Sequence, residues 1–232
     1  MQSLPQGYRA LVIGASGAIG SAMVSQLEAD PRCGQVLQLS RRSTPALDFE
    51  QEATFANAAE QLRDQGPLHM LVVATGMLHG PTGGPEKRLS QLNMGHLMAS
   101  FTINTFGPAM AVAHFAPLLA KTERSLVAVL SAKVGSIDDN RLGGWYSYRA
   151  SKAALNMMLK TASIELARTH PHAVLAALHP GTVDSPLSAP FQAAHGKKAA
   201  QQAAADLLNV LDALPAEGTG GFWAYDGQRL PW

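Results

Sequence analysis

Cysteine is nearly absent: Cys33 stands alone in 232 residues. No internal disulfide can staple the chain, and a reducing compartment suits it. Long apolar runs are missing too, since none approaches the roughly 20 residues needed to span a bilayer. Charge of one sign is not in excess. The 18 Lys and Arg against 17 Asp and Glu leave a formal +1, which gives no electrostatic footprint for nucleic acid. Metal-ligand spacing is lacking as well: His170 and His172 flank Pro171 with no second pair to complete a site, so no metal is expected. The first residues, MQSLPQGYRALVIGASGAIG, lack a charged n-region and reach glycine too early for a signal peptide. These exclusions leave an expectation of a soluble cytoplasmic protein with no membrane or nucleic-acid partner. With 47% hydrophobic residues, it has material for one sizeable core, so residues 1–232 are read as a single domain.

What is present is an alternation of short β-rich runs and longer helical stretches. The run RALVIGA (9–15) is continuously apolar and ends in glycine, as a buried parallel strand does. QVLQLS (35–40), LHMLVVAT (68–75), SLVAVLS (125–131) and AVLAALH (173–179) repeat that pattern. ALDF (46–49) reads as one more short strand and GFWAYDG (221–227) as the last. Residues 51–65, 92–120, 147–168 and 200–213 read as helices. This order predicts an α/β fold: a doubly wound, Rossmann-type parallel sheet of about seven strands with helices on both faces. Residues 80–90 and 184–199 read as loops, the second as a substrate loop. The connection at 41–46 is too short for a helix.

Three stretches carry chemistry. In VIGASGAIGSAMVSQL, Gly14, Gly17 and Gly20 lie between the first strand and the first helix. Glycines there allow a tight turn and let backbone N–H groups and a helix N-terminus approach a pyrophosphate. The second strand ends LQLSRRS, and where an acidic residue would take a ribose 2′-hydroxyl, Ser40, Arg41 and Arg42 suit a 2′-phosphate. That favours NADP(H) over NAD(H). Third, GGWYSYRASKAAL (143–155) places Tyr148 and Lys152 four apart, on one helical face, with Tyr146 nearly opposite the lysine. A lysine close to a phenol favours the phenolate and brings its pKa down toward working pH, which would make Tyr148 a proton donor.

Together these residues resemble the short-chain dehydrogenase/reductase family from about residue 9 onward. GASGAIG, including Ser16 and Ile19, is similar to its glycine loop, with Ala18 where a middle glycine is commonest. Asp48 resembles the aspartate at the adenine ring. Ala74, Thr75 and Gly76 match the family's Asn-Asn-Ala-Gly region loosely. NTFGP (104–108) matches the helix asparagine, Asn104, which in the family holds a water that relays protons to the lysine. YRASK (148–152) matches its Tyr-x-x-x-Lys motif. HPGTVDSP (179–186) is similar to its Pro-Gly segment: Pro180 and Gly181 lead to Val183, whose backbone would meet the nicotinamide carboxamide, and Ser185 replaces a commoner threonine. The wording of residues 130–190 further resembles a subgroup of C-factor-like and sniffer-like carbonyl reductases.

The resemblance implies hydride transfer between a nicotinamide and a carbonyl or alcohol, with Tyr148 as acid/base, Lys152 lowering its pKa and holding the ribose, and Asn104 completing a relay. It also implies a homodimer or homotetramer formed through the Tyr148 and Asn104 helices. One family element is displaced. The serine that binds the carbonyl oxygen is replaced by Ala132 in LSAKVG. Ser131, one residue earlier, is the first candidate to replace it, Ser136 the second, and catalysis on the tyrosine alone the third. That gap opens an alternative function: a weakly active or inactive nucleotide-binding signalling or scaffold protein. Leu78, Leu187, Pro190 and Phe191 give the substrate region an apolar flavour.

Overall fold

The computed structural model describes residues 1–81, 83–190 and 196–232. Six strands form one sheet: β1 (Tyr8–Ile13), β2 (Cys33–Leu39), β3 (Met70–Val73), β4 (Ser125–Leu130), β5 (Ala173–His179) and β6 (Gly221–Ala224). Their order is β2-β1-β3-β4-β5-β6, and every pairing is parallel. β3 and β4 are buried along their whole length, which is why they read as continuous apolar runs. β2, at the sheet edge, carries exposed Gln35 and Gln38 instead. One face packs Ala10, Val12, Val72 and Ala128 against α1 (Ala18–Ala29) and α6 (Ala200–Ala213). The other packs Leu11, Ile13, Val73, Val127 and Val129 against α2 (Ala53–Arg63), α4 (Gly107–Phe115) and α5 (Tyr146–Thr169).

Two expectations are corrected. Residues 46–49 are not a strand, so among the described residues the sheet has six. Two central backbone donors turn inward to the local loop: Leu47 N–H donates to Ser40 O at 2.9 Å and Asp48 N–H to Thr54 Oγ1 at 3.1 Å, so neither pairs with β2. The stretch 92–120 is not one helix but α3 (Met94–Phe101), a π-helical turn (Thr102–Phe106), α4 and a closing 3₁₀ turn. Pro108 explains the break. A proline lacks the N–H that would bond the carbonyl four residues back, here Asn104, and its ring crowds that carbonyl. The chain widens by one residue, and Gly107 N–H reaches Thr102 O instead.

The sheet order places the topological switch between β1 and β3, whose connections leave in opposite directions. In doubly wound sheets, ligands bind at the carboxyl ends of strands beside that switch. Here those ends are Ile13, Val73, Leu130 and His179, and the chemistry-bearing segments follow each of them.

Candidate active site

The loop from β1 to α1 turns at Gly14, whose φ is +84°. A side chain at Gly14 would meet Ala74 O at 2.8 Å, and one at Gly20 would meet Gly14 O at 2.2 Å. Strand, loop and helix therefore interlock at a distance only glycine permits. Gly17 is the N-cap of α1 and gives it no side-chain cap, so the first-turn N–H groups open toward the cleft. At the end of β2, Ser40 and Ser43 close a tight turn, with Ser40 N–H donating to Ser43 Oγ at 2.8 Å and Arg42 N–H to Ser40 Oγ at 3.2 Å. Arg41 and Arg42 are exposed, and among the described residues neither forms an ion pair. Asp48 accepts from Glu50 N–H and from Gln51 Nε2, at 3.1 and 3.3 Å.

A cavity of about 540 Å³ brings most of the expected residues together. Ser16, Gly17 and Ile19 line one end; Ala74, Thr75 and Gly76 line the floor; Ser131, Tyr148, Lys152, Pro180, Gly181, Val183 and Ser185 close the other. Gly14, Gly20, Ser40, Arg41, Arg42, Asp48 and Asn104 are not in its lining. Gly14 and Gly20 shape the loop from behind, the Ser40–Asp48 segment follows the edge strand, and Asn104 is fully buried.

Tyr148 and Lys152 sit one turn apart on α5, 8% and 2% exposed. Lys152 Nζ donates to Leu130 O at 2.9 Å, which aims it at the end of β4. Burial pushes the Tyr148 phenol up to about 12 and the Lys152 ammonium down to about 7. The expected lowering of the phenol by the lysine does not appear: burial is the cause of both shifts, and it disfavours both charged forms. A phenol held protonated is the state a proton donor requires. The Asn104 carboxamide grips the loop after β3, accepting from Met77 N–H at 2.8 Å and donating to Met77 O at 2.7 Å and Ser151 Oγ at 3.2 Å. Its side chain is committed to structure, whereas its carbonyl has lost a helical donor to Pro108.

The hydroxyls near the displaced serine are engaged elsewhere. Ser131 Oγ donates to Asn156 Oδ1 at 2.6 Å, on the next turn of α5 beyond Lys152. Ser136 Oγ donates to Trp232 O at 3.2 Å and accepts from Asp139 N–H at 3.1 Å. Ala132 faces the cavity, clustered with Leu78 and Tyr148.

The groups present fit a nicotinamide dinucleotide. The Thr75 hydroxyl is buried in the cavity floor with no hydrogen-bond partner among the described residues. The Val183–Lys198 bridge uses Thr182 O and Asp184 N–H, which turns the Val183 peptide groups away from Lys198. α1 offers an uncapped N-terminus to the same space. A model of the short chain dehydrogenase family matches residues 8–196. The chain belongs to the short-chain dehydrogenase family. C-signal of Myxococcus xanthus is 32% identical over 167 residues, 72% of this chain and 94% of that protein. The 1-hydroxy-2-glutathionyl-2-methyl-3-butene dehydrogenase of Rhodococcus sp. (strain AD45) is 39% identical over 130 residues. That match spans 56% of each, little more than half the relative's length. Among solved structures, the carbonyl reductase Sniffer of D. melanogaster superposes with a TM-score of 0.83 at 22% identity, over 98% of this chain and 100% of that one. An NADPH-bound carbonyl reductase from chicken fatty liver gives 0.85 at 22% identity, over 98% and 95%. At such identities the likeness is one of fold.

One residue of the site, Trp145, is missed by sequence reasoning. Trp145, at the N-cap of α5, stands edge-on to Tyr148, their ring centroids 6.2 Å apart. With Val134 and Leu187 it packs on Leu78, Ala132 and Tyr148, making the reacting end apolar. His79 joins the two flanking loops through Nε2 to Pro186 O at 3.2 Å. Part of the substrate loop, including Phe191, lies outside the described residues. The local sequence marks Trp145 only indirectly. Its signal is the Gly-Gly pair before it, which marks an unusual helix entry. Among the described residues, no helix is long and apolar enough to cross a membrane.

Proposed function

We propose that the protein is an NADP(H)-dependent reductase of aldehydes or ketones, with Tyr148 as the proton donor. The observation that carries this reading is the joint burial of Tyr148 and Lys152 in the cavity that also holds the glycine loop and the Val183 segment. Ser16, Gly17, Ile19, Thr75 and the α1 N-terminus would hold the dinucleotide, with Gly14 and Gly20 shaping their loop. Val183 and Ser185 would hold its carboxamide end, Asp48 would meet the adenine, and Arg41, Arg42 and Ser40 the 2′-phosphate. The bound nicotinamide supplies the hydride. Tyr148 orients the carbonyl oxygen and gives it a proton. Lys152 steadies the resulting phenolate, and Asn104 leads replacement protons toward the lysine. The apolar wall of Leu78, Val134, Trp145 and Leu187 excludes water from the reacting carbon. Exposed Met94, Met98, Phe106, Met157 and Met158 on α3, the π turn and α5 would pair two copies of the chain.

Replacing Tyr148 by Phe should lower turnover of a carbonyl panel at least about 10²-fold while leaving NADPH binding, read by fluorescence, nearly intact. Full activity in that variant excludes the reading. One observation favours a second function. The Ala132 site offers no carbonyl-binding hydroxyl, and one relative is named a signal, C-signal. On that reading the protein binds the nucleotide and turns nothing over. Tight NADPH binding with no turnover across the panel would select it.

A further inference from the structure

Helix α5 carries the proton donor in its first turn, yet it begins without the usual anchors. It has no acidic residue in that turn, and Trp145 at its N-cap makes no side-chain cap. An uncapped N-terminus leaves N–H groups unsatisfied and a positive dipole end unopposed. The anion comes from elsewhere. Glu86, in the loop after β3, is 3% exposed. Its Oε2 accepts the Ser147 N–H at 3.1 Å, and its Oε1 accepts the Ser147 hydroxyl. Its main-chain carbonyl accepts the Trp145 N–H at 2.5 Å. Glu86 thus holds two alternate backbone N–H groups, those of Trp145 and Ser147, directly before Tyr148.

The chain bends to make this grip. Gly143, Gly144 and Trp145 are all left-handed, with φ of 63°, 65° and 55°, a conformation uncommon for a residue as bulky as tryptophan. Arg149 fastens the same corner, donating to Gly144 O at 3.0 Å and Val134 O at 3.1 Å. On the other side, Gln91 Oε1 accepts the N–H groups of Lys87 and Arg88 at 2.8 and 3.1 Å, which fixes the segment that presents Glu86. Burial pushes the Glu86 carboxyl up, but the Ser147 bonds, its own backbone N–H and the nearby His96 together hold it below the usual range.

We infer that Glu86 is a positioning residue: by capping α5 from the loop after β3 it sets the place of Tyr148 and of the Trp145 wall relative to the substrate. This rests on the proposed reductase reading. A reacting group misplaced by about 1 Å costs up to about 100-fold in rate, so the cap is worth far more to turnover than to cofactor binding.

The test compares wild type with Glu86→Gln, which keeps the shape but can accept only one Ser147 donor fully, and with Ser147→Ala. In both variants kcat with NADPH should fall by about 10- to 100-fold, NADPH affinity should stay unchanged, and the double variant should lose little more than either single one. Amide exchange at Tyr146–Tyr148 should accelerate while the rest of α5 stays protected. Unchanged kcat in a folded Glu86→Gln variant overturns the inference, as does a parallel loss of kcat and NADPH affinity or of protection along all of α5. The exchange measurement needs no substrate. If wild type turns over no carbonyl, the reductase reading fails by itself, and first-turn exchange still decides whether Glu86 holds Tyr148 in place.

Discussion

Ala132 is a methyl group at the place where a hydroxyl would be most useful. It lies against Tyr148 and Leu78 at the cavity wall, while Ser131 bonds Asn156 and Ser136 bonds the Trp232 carbonyl. Ser131 satisfies a buried carboxamide oxygen that would be stranded if it turned inward, and Ser136 is tied both to the Trp232 carbonyl and to the Asp139 N–H. On the proposed reading, a carbonyl oxygen bound here would meet one side-chain donor, the Tyr148 phenol. Because a lost oxyanion donor costs on the order of 10²- to 10³-fold, its restoration should be visible. Ala132→Ser should raise kcat by about tenfold or more without changing NADPH affinity, measured by steady-state kinetics on any carbonyl that wild type reduces. A variant no faster than wild type would show that the carbonyl oxygen does not lie against residue 132. At this scale the Tyr148–Lys152 spacing was readable from the chain, since helix geometry alone separates Tyr148 from Tyr146: the first is buried and the second 37% exposed.

At the scale of elements, the turn leaving β2 is where the proposed preference for NADP(H) would be set. Ser43 spends its hydroxyl on the turn itself and Ser40 Oγ accepts the Arg42 N–H, which leaves the Ser40 O–H and the two exposed guanidinium groups to meet an anion. Replacing Arg41 and Arg42 together by Ala should raise the KM for NADPH by about 10- to 100-fold, the worth of a lost bond to a charged group or two, while NADH kinetics stay nearly unchanged. Equal losses for both cofactors would refute the assignment of this turn to the 2′-phosphate. The same scale shows what a sequence conveys and what it withholds. Strands β1, β4 and β5 are legible because two covered faces demand unbroken apolar runs. The π turn at Asn104 has a local signal in Pro108, four residues on, although the apolar pattern runs on as if the helix were continuous. Residues 46–49 look like a strand because Leu47 is buried, but burial without a hydrogen-bonding neighbour does not make one. Glu86 is silent: its partner Ser147 is distant in the chain, and a charged residue in a glycine-rich loop reads as solvated until the fold brings the helix start to it.

For the molecule as a whole, the site opposes stability, and pH exposes the conflict. Lys152 is almost fully buried, and burial lowers its pKa from 10.5 to about 7. Between those values the unfolded chain binds the proton and the folded chain does not, so stability rises with pH across that window. Below pH 7 both states carry the charge, and the folded one bears the whole cost of desolvating it. Tyr148 acts with the opposite sign but higher up. Its pKa is raised from 10.0 to about 12, so the stability it contributes is present below 10 and is lost only above that. The difference between wild type and a Lys152 variant, followed from pH 6 to pH 9, therefore reports the lysine without Tyr148. Lys152→Met, which keeps the length of the stem and removes the charge, should be more stable than wild type at pH 6, with the difference narrowing steadily as pH rises to 9. Urea denaturation midpoints of the two proteins at matched pH would measure it. A gap that stays constant with pH would mean that the lysine keeps its ordinary affinity for the proton in the fold, and that the charge beside Tyr148 is stabilised by its surroundings rather than tolerated for the sake of the site.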